Sequence, residues 1–161
     1  MNVEREKRDF LRHTLATVAY RGAKTLRGAP PEFAAFRIGE TTKTPLEILG
    51  HIGDLFDWGH SLAEGREIWN DSEPLSWEKE VHRFYGSLSL FDEYLNSNSP
   101  LHVSAEMLFQ GPVADALTHI GQLAMLRRLS DSPIKGENYF KAEIETGRLG
   151  LDQTDPPFEF D

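Results

Sequence analysis

Residues 76–100, SWEKEVHRFYGSLSLFDEYLNSNSP, contain the clearest structural pattern in this chain. Large apolar side chains recur at alternating intervals of four and three residues, the spacing that lines up one face of an α-helix packed in a bundle. Ser76 is a suitable N-cap, and the polar run before Pro100 stops the helix. The seam consists of Trp77, Val81, Phe84, Leu88, Phe91 and Leu95. This segment therefore predicts a helix with one long buried face.

Two segments on the N-terminal side show the same helical periodicity. The first helix is predicted over residues 3–23, where four small or apolar positions form a stripe. The second helix has a clear start, because Thr44 is a suitable N-cap, Pro45 takes the first helical position and Glu47 completes a capping box. We expect this helix to end near Gly65. The stripe of the first helix comprises Leu11, Leu15, Val18 and Gly22.

A fourth helix is predicted from about Pro112 to Leu129, after a short turn at residues 104–109. The connection between the first and second helices is long, and long connections in compact domains often pack over the rest of the protein. Phe33 and Phe36 indicate that this connection folds back onto the helices. No segment alternates strictly between apolar and polar residues, so we expect no strand.

The composition is that of an ordinary globular domain, with 161 residues of which 39% are hydrophobic and 27% charged. We therefore expect an all-α fold, a single four-helix bundle over residues 1–161 with a short C-terminal extension. Residues 150–161 are acidic and proline-containing, which predicts a loosely ordered tail.

Charge and cysteine content exclude several functions. The net charge of −9 argues against nucleic acid and anionic membranes as partners, and Arg127 and Arg128 are interpreted as helix surface. With no cysteine the chain has no thiol nucleophile and no zinc-thiolate site. No apolar run is long enough to span a membrane, and no signal-type apolar core follows the charged residues 1–9. A cytoplasmic location is the expectation.

The fourth helix carries the most informative polar pair. Asp115 and His119 stand four residues apart, so on a helix they project from one face. A carboxylate and an imidazole that converge on one point supply two of the ligands that a divalent metal requires. Two other interpretations stay open. Asp115 is also favoured near a helix N-terminus by the helix dipole, and the two side chains can form an ion pair without a metal.

The other five histidines differ in their predicted positions. His13 and His82 lie off the apolar faces of their helices, and His102 lies in a loop. His51 and His60 flank the apolar arc of the second helix on opposite borders, roughly 180° apart, so they cannot share one metal. The helical wheel alone does not choose between them. His51 shares its border with an apolar wall of Leu55, Trp58 and Leu62.

Residues 44–55, TPLEILGHIGDL, and residues 119–123, HIGQL, resemble the DinB/YfiT-like superfamily. The similarity covers essentially the whole chain, because the number and order of helices also agree, although the motifs are short. Members are four-helix bundles that typically hold a divalent metal, often zinc or nickel, with one histidine from the second helix and an H-x-x-x-H pair from the fourth. The resemblance implies an up-down-down-up bundle with a crossover between the second and third helices.

The same resemblance implies a set of metal ligands. His51 matches the second-helix histidine, and His119 matches the second histidine of the fourth-helix pair. Asp115 stands where the family has the first, which departs from the three-histidine pattern. Two imidazoles and a carboxylate suit zinc, iron or manganese, and the carboxylate favours a harder metal; alternatively, the site has degenerated and holds no metal. The residues expected in the pocket around the metal are Trp58, Leu55 and Gln122.

The resemblance leads to two classes of activity. Relatives include S-transferases and isomerases that use low-molecular-weight thiols, and possible metal-dependent hydrolases. A bound metal would lower the pKa of water or of a substrate thiol. Asp115 weakens the thiol hypothesis, because a ligand set that already contains a carboxylate neutralises a thiolate less well. Asp54 and Glu47 are the nearest candidates for a general base, but both are interpreted as solvated helix surface.

A non-catalytic function is the alternative. The broad apolar helix faces suit a homodimer, in which the protein binds a metal or another ligand without turning it over. If the site has degenerated, Asp115 and His119 pair with each other or with His51, and the protein acts through its surface.

Overall fold

A computed structural model describes residues 2–160, and most of them are α-helical. The predicted all-α class is thereby confirmed. The helices are α1 (Val3–Leu26), α2 (Pro45–Ala63), α3 (Trp77–Asn96), α4 (Ala105–Leu108) and α5 (Ala114–Leu129). Among the described residues, none of these helices is both long enough and apolar enough to cross a membrane.

The helix starts that the sequence predicts are present. The backbone N–H of Glu47 donates to the Thr44 hydroxyl over 3.2 Å, and the Thr44 N–H donates to the Glu47 carboxylate over 2.6 Å. This is the capping box, with Pro45 at the first helical position. At the start of α3 the Ser76 hydroxyl accepts a single hydrogen bond from the Lys79 N–H. Each cap uses only residues within one turn, so local sequence determines it.

The fourth predicted helix starts earlier than expected. Ser104 caps α4, and a π-helical segment, Phe109–Val113, joins α4 to α5. The prediction of a start at Pro112 is therefore wrong. Proline lacks an N–H and collides with the carbonyl four residues earlier, and the wider π-type turn accommodates it inside a continuous helix.

Helix α2 packs closely along α3, and residues further along α2 contact residues further along α3. Gly50 lies opposite Glu80, and Gly59 lies opposite Phe91. A Cβ on Gly59 would approach the Phe91 ring to 2.9 Å and Pro112 to 3.1 Å. The absence of a side chain at Gly59 therefore allows α2 to approach both neighbours closely.

The contacts of α1 with α3 and of α2 with α5 run in the opposite sense. Arg12 in the first half of α1 pairs with Asp92 near the end of α3, whereas Gly22 later in α1 lies against the earlier Phe84 of α3. On the other pair, Trp58 late in α2 lies beside Gly111, which precedes α5. Helix α1 also packs against α5, so each of the four long helices has two neighbours.

The core lies between the four long helices. Most of the seam predicted on α3 is fully buried, and its first two members are partly buried. A short 3₁₀-helix, Pro31–Ala35, brings Phe33 into the core, which confirms that the long connection folds back. Burial of each such phenylalanine contributes about 1.5–3 kcal/mol. The largest fully buried side chains include Phe33, Phe56, Phe84, Phe91, Leu88 and Leu95.

Arg127 is buried, so its interpretation as helix surface is wrong. Its guanidinium donates to the Thr25 carbonyl over 2.9 Å and to the Ser132 carbonyl over 2.7 Å. The first bond satisfies a carbonyl in the last turn of α1 that helix geometry leaves free, and the second holds the turn that follows α5. The wheel of α5 alone does not show this role, because one partner belongs to another helix.

The C-terminal segment contains a small antiparallel pair of strands, β1 (Gly136–Glu137) and β2 (Glu159–Phe160). The expectation of no strand is wrong for these residues, because two-residue strands are too short to show an alternating pattern. Glu137 is buried and pairs with Lys24 of α1 over 2.9 Å. The loose order of residues 150–161 stays a prediction, and Asp161 lies outside the described residues.

Candidate metal centre

His51 of α2 and Asp115 and His119 of α5 converge at one point. The Nε2 atom of His119 lies 3.5 Å from one Asp115 oxygen, and the Nε2 atom of His51 lies 3.8 Å from the other. The two imidazole rings are nearly perpendicular, with centroids 4.8 Å apart. One donor atom from each residue lies within 4.8 Å of the other two. Within residues 2–160, this is the only group of three or more histidines and carboxylates so arranged.

The spacing of the donor atoms fits a small divalent ion. Bonds from zinc to imidazole nitrogen or carboxylate oxygen are about 2.0–2.2 Å, so neighbouring donors on a tetrahedral ion lie roughly 3.4 Å apart. The Asp115–His119 and Asp115–His51 distances of 3.5 and 3.8 Å are slightly longer than this and end on different oxygens of Asp115, and one donor from each residue lies within 4.8 Å of the others. Small side-chain rotations would bring the three donors onto one ion. Three protein ligands also leave a coordination position open, as in catalytic zinc sites.

The site is half enclosed, and its electrostatics suit metal binding. The side chains of His51 and His119 are 23% and 15% exposed, and that of Asp115 is 48% exposed. Burial lowers the pKa of His51, and the neighbouring His119 and Lys43 lower it further, against an opposing effect of Asp115. The neutral imidazole is therefore favoured at neutral pH, and its nitrogen lone pair is free to bind a cation. Solvent reaches the site from the Asp115 side.

Gln122 orients His119. The Gln122 side-chain oxygen lies 2.9 Å from His119 Nδ1, and this oxygen can only accept a hydrogen bond. The proton of the neutral imidazole is therefore held at Nδ1, which leaves the lone pair of Nε2 directed at Asp115. Metal-binding histidines are commonly fixed in this way by a partner on their second nitrogen. Gln122 was expected in the pocket, and the structure places it beside His119.

The aromatic residue next to His51 is Trp69 and not Trp58, which was expected in the wall of the pocket. Trp69, in the connection between α2 and α3, lies edge-on to His51 with ring centroids 5.8 Å apart. Trp58 lies behind it, 5.7 Å from the Trp69 ring, and Leu55 is buried in the core. The sequence pattern does not predict Trp69 because its segment has no periodicity. A tryptophan in an otherwise polar connection is the signal that points to it.

Side chains of α2 and α3 hold this connection in place. The Ser61 hydroxyl accepts from the Ile68 N–H over 3.0 Å, and the Asp54 carboxylate accepts from the Ser72 N–H over 3.0 Å. Further along, the Leu75 N–H donates to Glu80 over 2.9 Å. Trp69 thus lies in a segment anchored on both sides, which positions its ring next to His51.

Neither expected general base is free. Asp54 is buried and ion-paired with Arg83 of α3, so its interpretation as solvated surface is wrong. A helical wheel of α2 cannot show this, because Arg83 reaches Asp54 from the neighbouring helix. The Glu47 carboxylate is bound in the capping box and also lies 3.1 Å from Arg37.

The remaining histidines lie outside the site. His60 lies 3.6 Å from Glu64 and packs against Tyr94, so of the two histidines on α2 it is His51 that lies beside Asp115 and His119. His13 and His82 are exposed, as expected, and His102 lies in a loop, as predicted, and is also exposed.

Comparison with known proteins yields no family profile, no curated protein and no solved structure that matches this chain. The resemblance to the DinB/YfiT-like superfamily therefore rests on the short motifs and helix order, and the function has to be inferred from the site.

Proposed function

We propose that this chain is a divalent-metal-binding protein in which His51, Asp115 and His119 hold the ion. The observation that carries the proposal is the convergence of their donor atoms, from two helices, to within 4.8 Å of one another. Gln122 supports it by keeping the His119 Nε2 lone pair free. The ligand set suits zinc, iron or manganese, and the carboxylate makes the site harder than three imidazoles would.

We propose further that the chain is DinB/YfiT-like, with its four long helices in an up-down-down-up bundle. In support, contacting positions advance together along α2 and α3 and oppositely along α1 and α3. The sense is also opposite for α2 and α5, where His51 faces Asp115 and the later Trp58 faces Gly111. The segment joining α2 to α3 runs back along α2, since its Ile68 N–H donates to Ser61 and its Ser72 N–H donates to the earlier Asp54, as a parallel pair requires.

As a reaction we propose metal-dependent hydrolysis. A bound divalent ion would lower the pKa of water near neutrality, and the solvent-facing side of Asp115 leaves room for a substrate. His51 supplies a neutral donor, Gln122 fixes the proton of His119, and Trp69 covers one flank. A thiol substrate suits the site less well, because Asp115 already contributes a negative charge.

A second candidate is a metal-binding protein without catalysis. It is favoured by the state of the two nearest expected bases, since Asp54 is paired with Arg83 and Glu47 is held by Thr44 and Arg37. In that case the protein acts as a homodimeric binding module. Exposed apolar side chains that a dimer would cover include Val3 and Phe10 of α1 and Phe109 of the π-helical segment, which line one surface groove, and Met107 of α4 is also exposed.

Metal content of the tag-free protein, measured by plasma mass spectrometry, tests the proposal. We expect about one divalent ion per chain after incubation with zinc, iron, manganese or nickel, and loss of it in His51→Ala and Asp115→Ala. His60→Ala is the matched control, because His60 lies on the same helix outside the site and should leave the metal content unchanged. No bound metal in the wild type, or equal metal in all variants, would overturn the assignment.

Hydrolysis and binding without catalysis are then separated with the loaded protein. Turnover of activated ester or amide substrates that is lost in His51→Ala supports the hydrolase. Stoichiometric metal without any such turnover supports the binding module.

A further inference from the structure

An open groove of about 660 Å³ adjoins the candidate metal centre. It lies between α5, the start of α2 and residues 38–43 of the preceding connection. Its walls are mainly apolar, and His119 and Gln122 form the end at which it meets the metal centre. The volume falls within the range of roughly 300–1,000 Å³ that is usual for small-molecule sites. The apolar walls are formed by Ile38, Ile48, Met125 and Leu126.

No side chain of the protein fills this groove. Ile38 and Met125 are each 56% exposed, although both are large and apolar. Gly121 lies in the middle of α5, and a Cβ built on it meets no atom within 4 Å. Glycine in a helix interior costs about 1 kcal/mol relative to alanine, and at this position no close packing requires it. The space over Gly121 is therefore open to an external ligand.

Lys43 gives the groove its charge. It is the one cationic side chain among the groove-lining residues. Among residues 2–160 its ammonium group forms no ion pair or hydrogen bond, although its charge acts on the nearby Glu47 carboxylate, in a protein whose net charge is −9. Lys43 and the metal-centre residue His119 line the same groove, so the cation and the metal centre border one space. An anionic group is therefore favoured at this end, and an apolar chain along the rest.

We propose that the groove binds an amphiphilic monocarboxylate, with the carboxylate near Lys43 and His119 and a linear hydrocarbon chain along Ile38 and Met125. The interpretation of the monocarboxylate as the product of an acyl hydrolase rests on the proposed function. The assignment of the groove as a binding site for it does not. Charge complementarity with Lys43 selects an anion over a cation, and the apolar walls select chain length. Each methylene that becomes half-buried should strengthen binding about twofold.

Calorimetric titration of the full chain with decanoate tests this inference. We expect saturable binding of decanoate, roughly 16-fold weaker binding of hexanoate because it has four fewer methylenes, and no binding of decylammonium. Gly121→Leu would fill the groove and should weaken decanoate binding at least tenfold. Gly86→Leu is the matched control, because Gly86 is also an interior helix glycine with no atom near its Cβ position. It should bind decanoate as the wild type does.

Lys43→Ala should weaken decanoate binding about fivefold, and Lys43→Glu should favour decylammonium instead. Absence of saturable decanoate binding would overturn the proposal, as would equal affinities of wild type and Gly121→Leu. A circular dichroism melt of each variant establishes that it is folded.

The same titrations on EDTA-treated protein and on His51→Ala separate the two proposals. Decanoate binding that persists without metal supports the groove even if the metal centre fails its own test. Stoichiometric metal without decanoate binding overturns the groove alone. Binding that requires the metal supports the groove as the substrate site of that centre.

Discussion

Helix α2 contributes to two polar clusters, and they differ in how many of their polar atoms have a hydrogen-bond partner within the protein. In the first, Arg83 of α3 pairs with Asp54 and lies 2.8 Å from Asp57. The remaining oxygens accept from the Ser72 N–H over 3.0 Å and from the Ser87 hydroxyl over 2.7 Å. All four carboxylate oxygens have a partner at hydrogen-bond distance.

The second cluster, His51, Asp115 and His119, makes only one side-chain hydrogen bond among the described residues, that between Gln122 and His119 Nδ1. Its closest carboxylate–imidazole distances are 3.5 and 3.8 Å, beyond a good hydrogen bond. Burial also lowers the pKa of His51, which disfavours the charged imidazole that an ion pair needs. The first cluster is therefore complete within the protein and joins two helices. The second has the geometry of a site that a cation would complete.

Removal of the cation from the first cluster should have the largest effect. Arg83→Met leaves Asp54, whose side chain is 2% exposed, without its counter-charge. A buried charge without a partner costs about 3–5 kcal/mol, so we expect a loss of this size in the free energy of unfolding. Urea denaturation measures it. Arg66→Met, which breaks an exposed pair with Glu64, should cost less than about 1 kcal/mol. Similar losses in both variants would contradict the structural role of the first cluster.

At the second cluster, we expect metal to raise the free energy of unfolding, and substitution in the metal-free protein to change it very little. At a metal concentration 100 times the dissociation constant, binding stabilises the wild type by about 2.7 kcal/mol. Asp115→Ala should remove this stabilisation. Without metal it should change the free energy of unfolding by no more than about 0.5 kcal/mol, because the carboxylate is half-exposed and makes no hydrogen bond among the described residues. The measurement is urea denaturation with and without zinc or manganese.

A loss above about 1 kcal/mol in metal-free Asp115→Ala would make the second cluster a structural ion pair. Equal stabilisation of wild type and variant by metal would place the ion elsewhere.

Features that depend on neighbouring residues in the chain could be predicted from the sequence. Thr44 and Glu47 form the expected capping box, and the seam of α3 is buried because periodicity alone places its side chains on one face. Asp115 and His119 face one point for the same reason. Their assignment as metal ligands stays a prediction.

Features that depend on a second element could not be predicted. The partner of Asp54 comes from α3, and that of Arg127 from the end of α1, so a wheel of one helix assigns both to the surface. Trp69 lies next to His51 because hydrogen bonds such as that from the Ile68 N–H to Ser61 hold the connection that carries it. This connection has no periodic pattern from which the contact could be predicted. The choice between His51 and His60 likewise required the position of α5 relative to α2.

Gln122 offers a smaller and more selective change at the second cluster. Gln122→Leu removes the acceptor that holds the proton on His119 Nδ1, and such outer partners commonly contribute 10-fold or more to metal affinity. We expect about tenfold weaker binding, measured by competition with a chromophoric chelator. Gln122→Glu keeps an acceptor at the same place and should bind at least as tightly as the wild type. If both variants weaken binding equally, the hydrogen bond does not orient His119.

Tyr85 tests whether a polar group without a hydrogen-bond partner always marks a ligand site, because its hydroxyl has no such partner in the described part of the chain and is closed to solvent. Its hydroxyl is buried without a hydrogen bond among the described residues, and burial raises its pKa to about 12. In the unfolded chain the phenol loses its proton near pH 10, so the contribution of Tyr85 to stability is full below pH 10 and declines as the pH approaches 12. By pH 11 the wild type should lose about 1.4 kcal/mol relative to Tyr85→Phe.

At pH 7, Tyr85→Phe should be as stable as the wild type or slightly more stable, because it removes an unpaired buried hydroxyl and keeps the ring packed on Phe84. Denaturant titrations of both proteins at pH 7 and pH 11 provide the comparison. A clear loss of stability in Tyr85→Phe at pH 7 would reveal a partner for the hydroxyl. A lack of hydrogen-bond partners in the structure would then not be sufficient evidence for a ligand site. The assignment of the second cluster as a metal site would depend on the measured metal content alone.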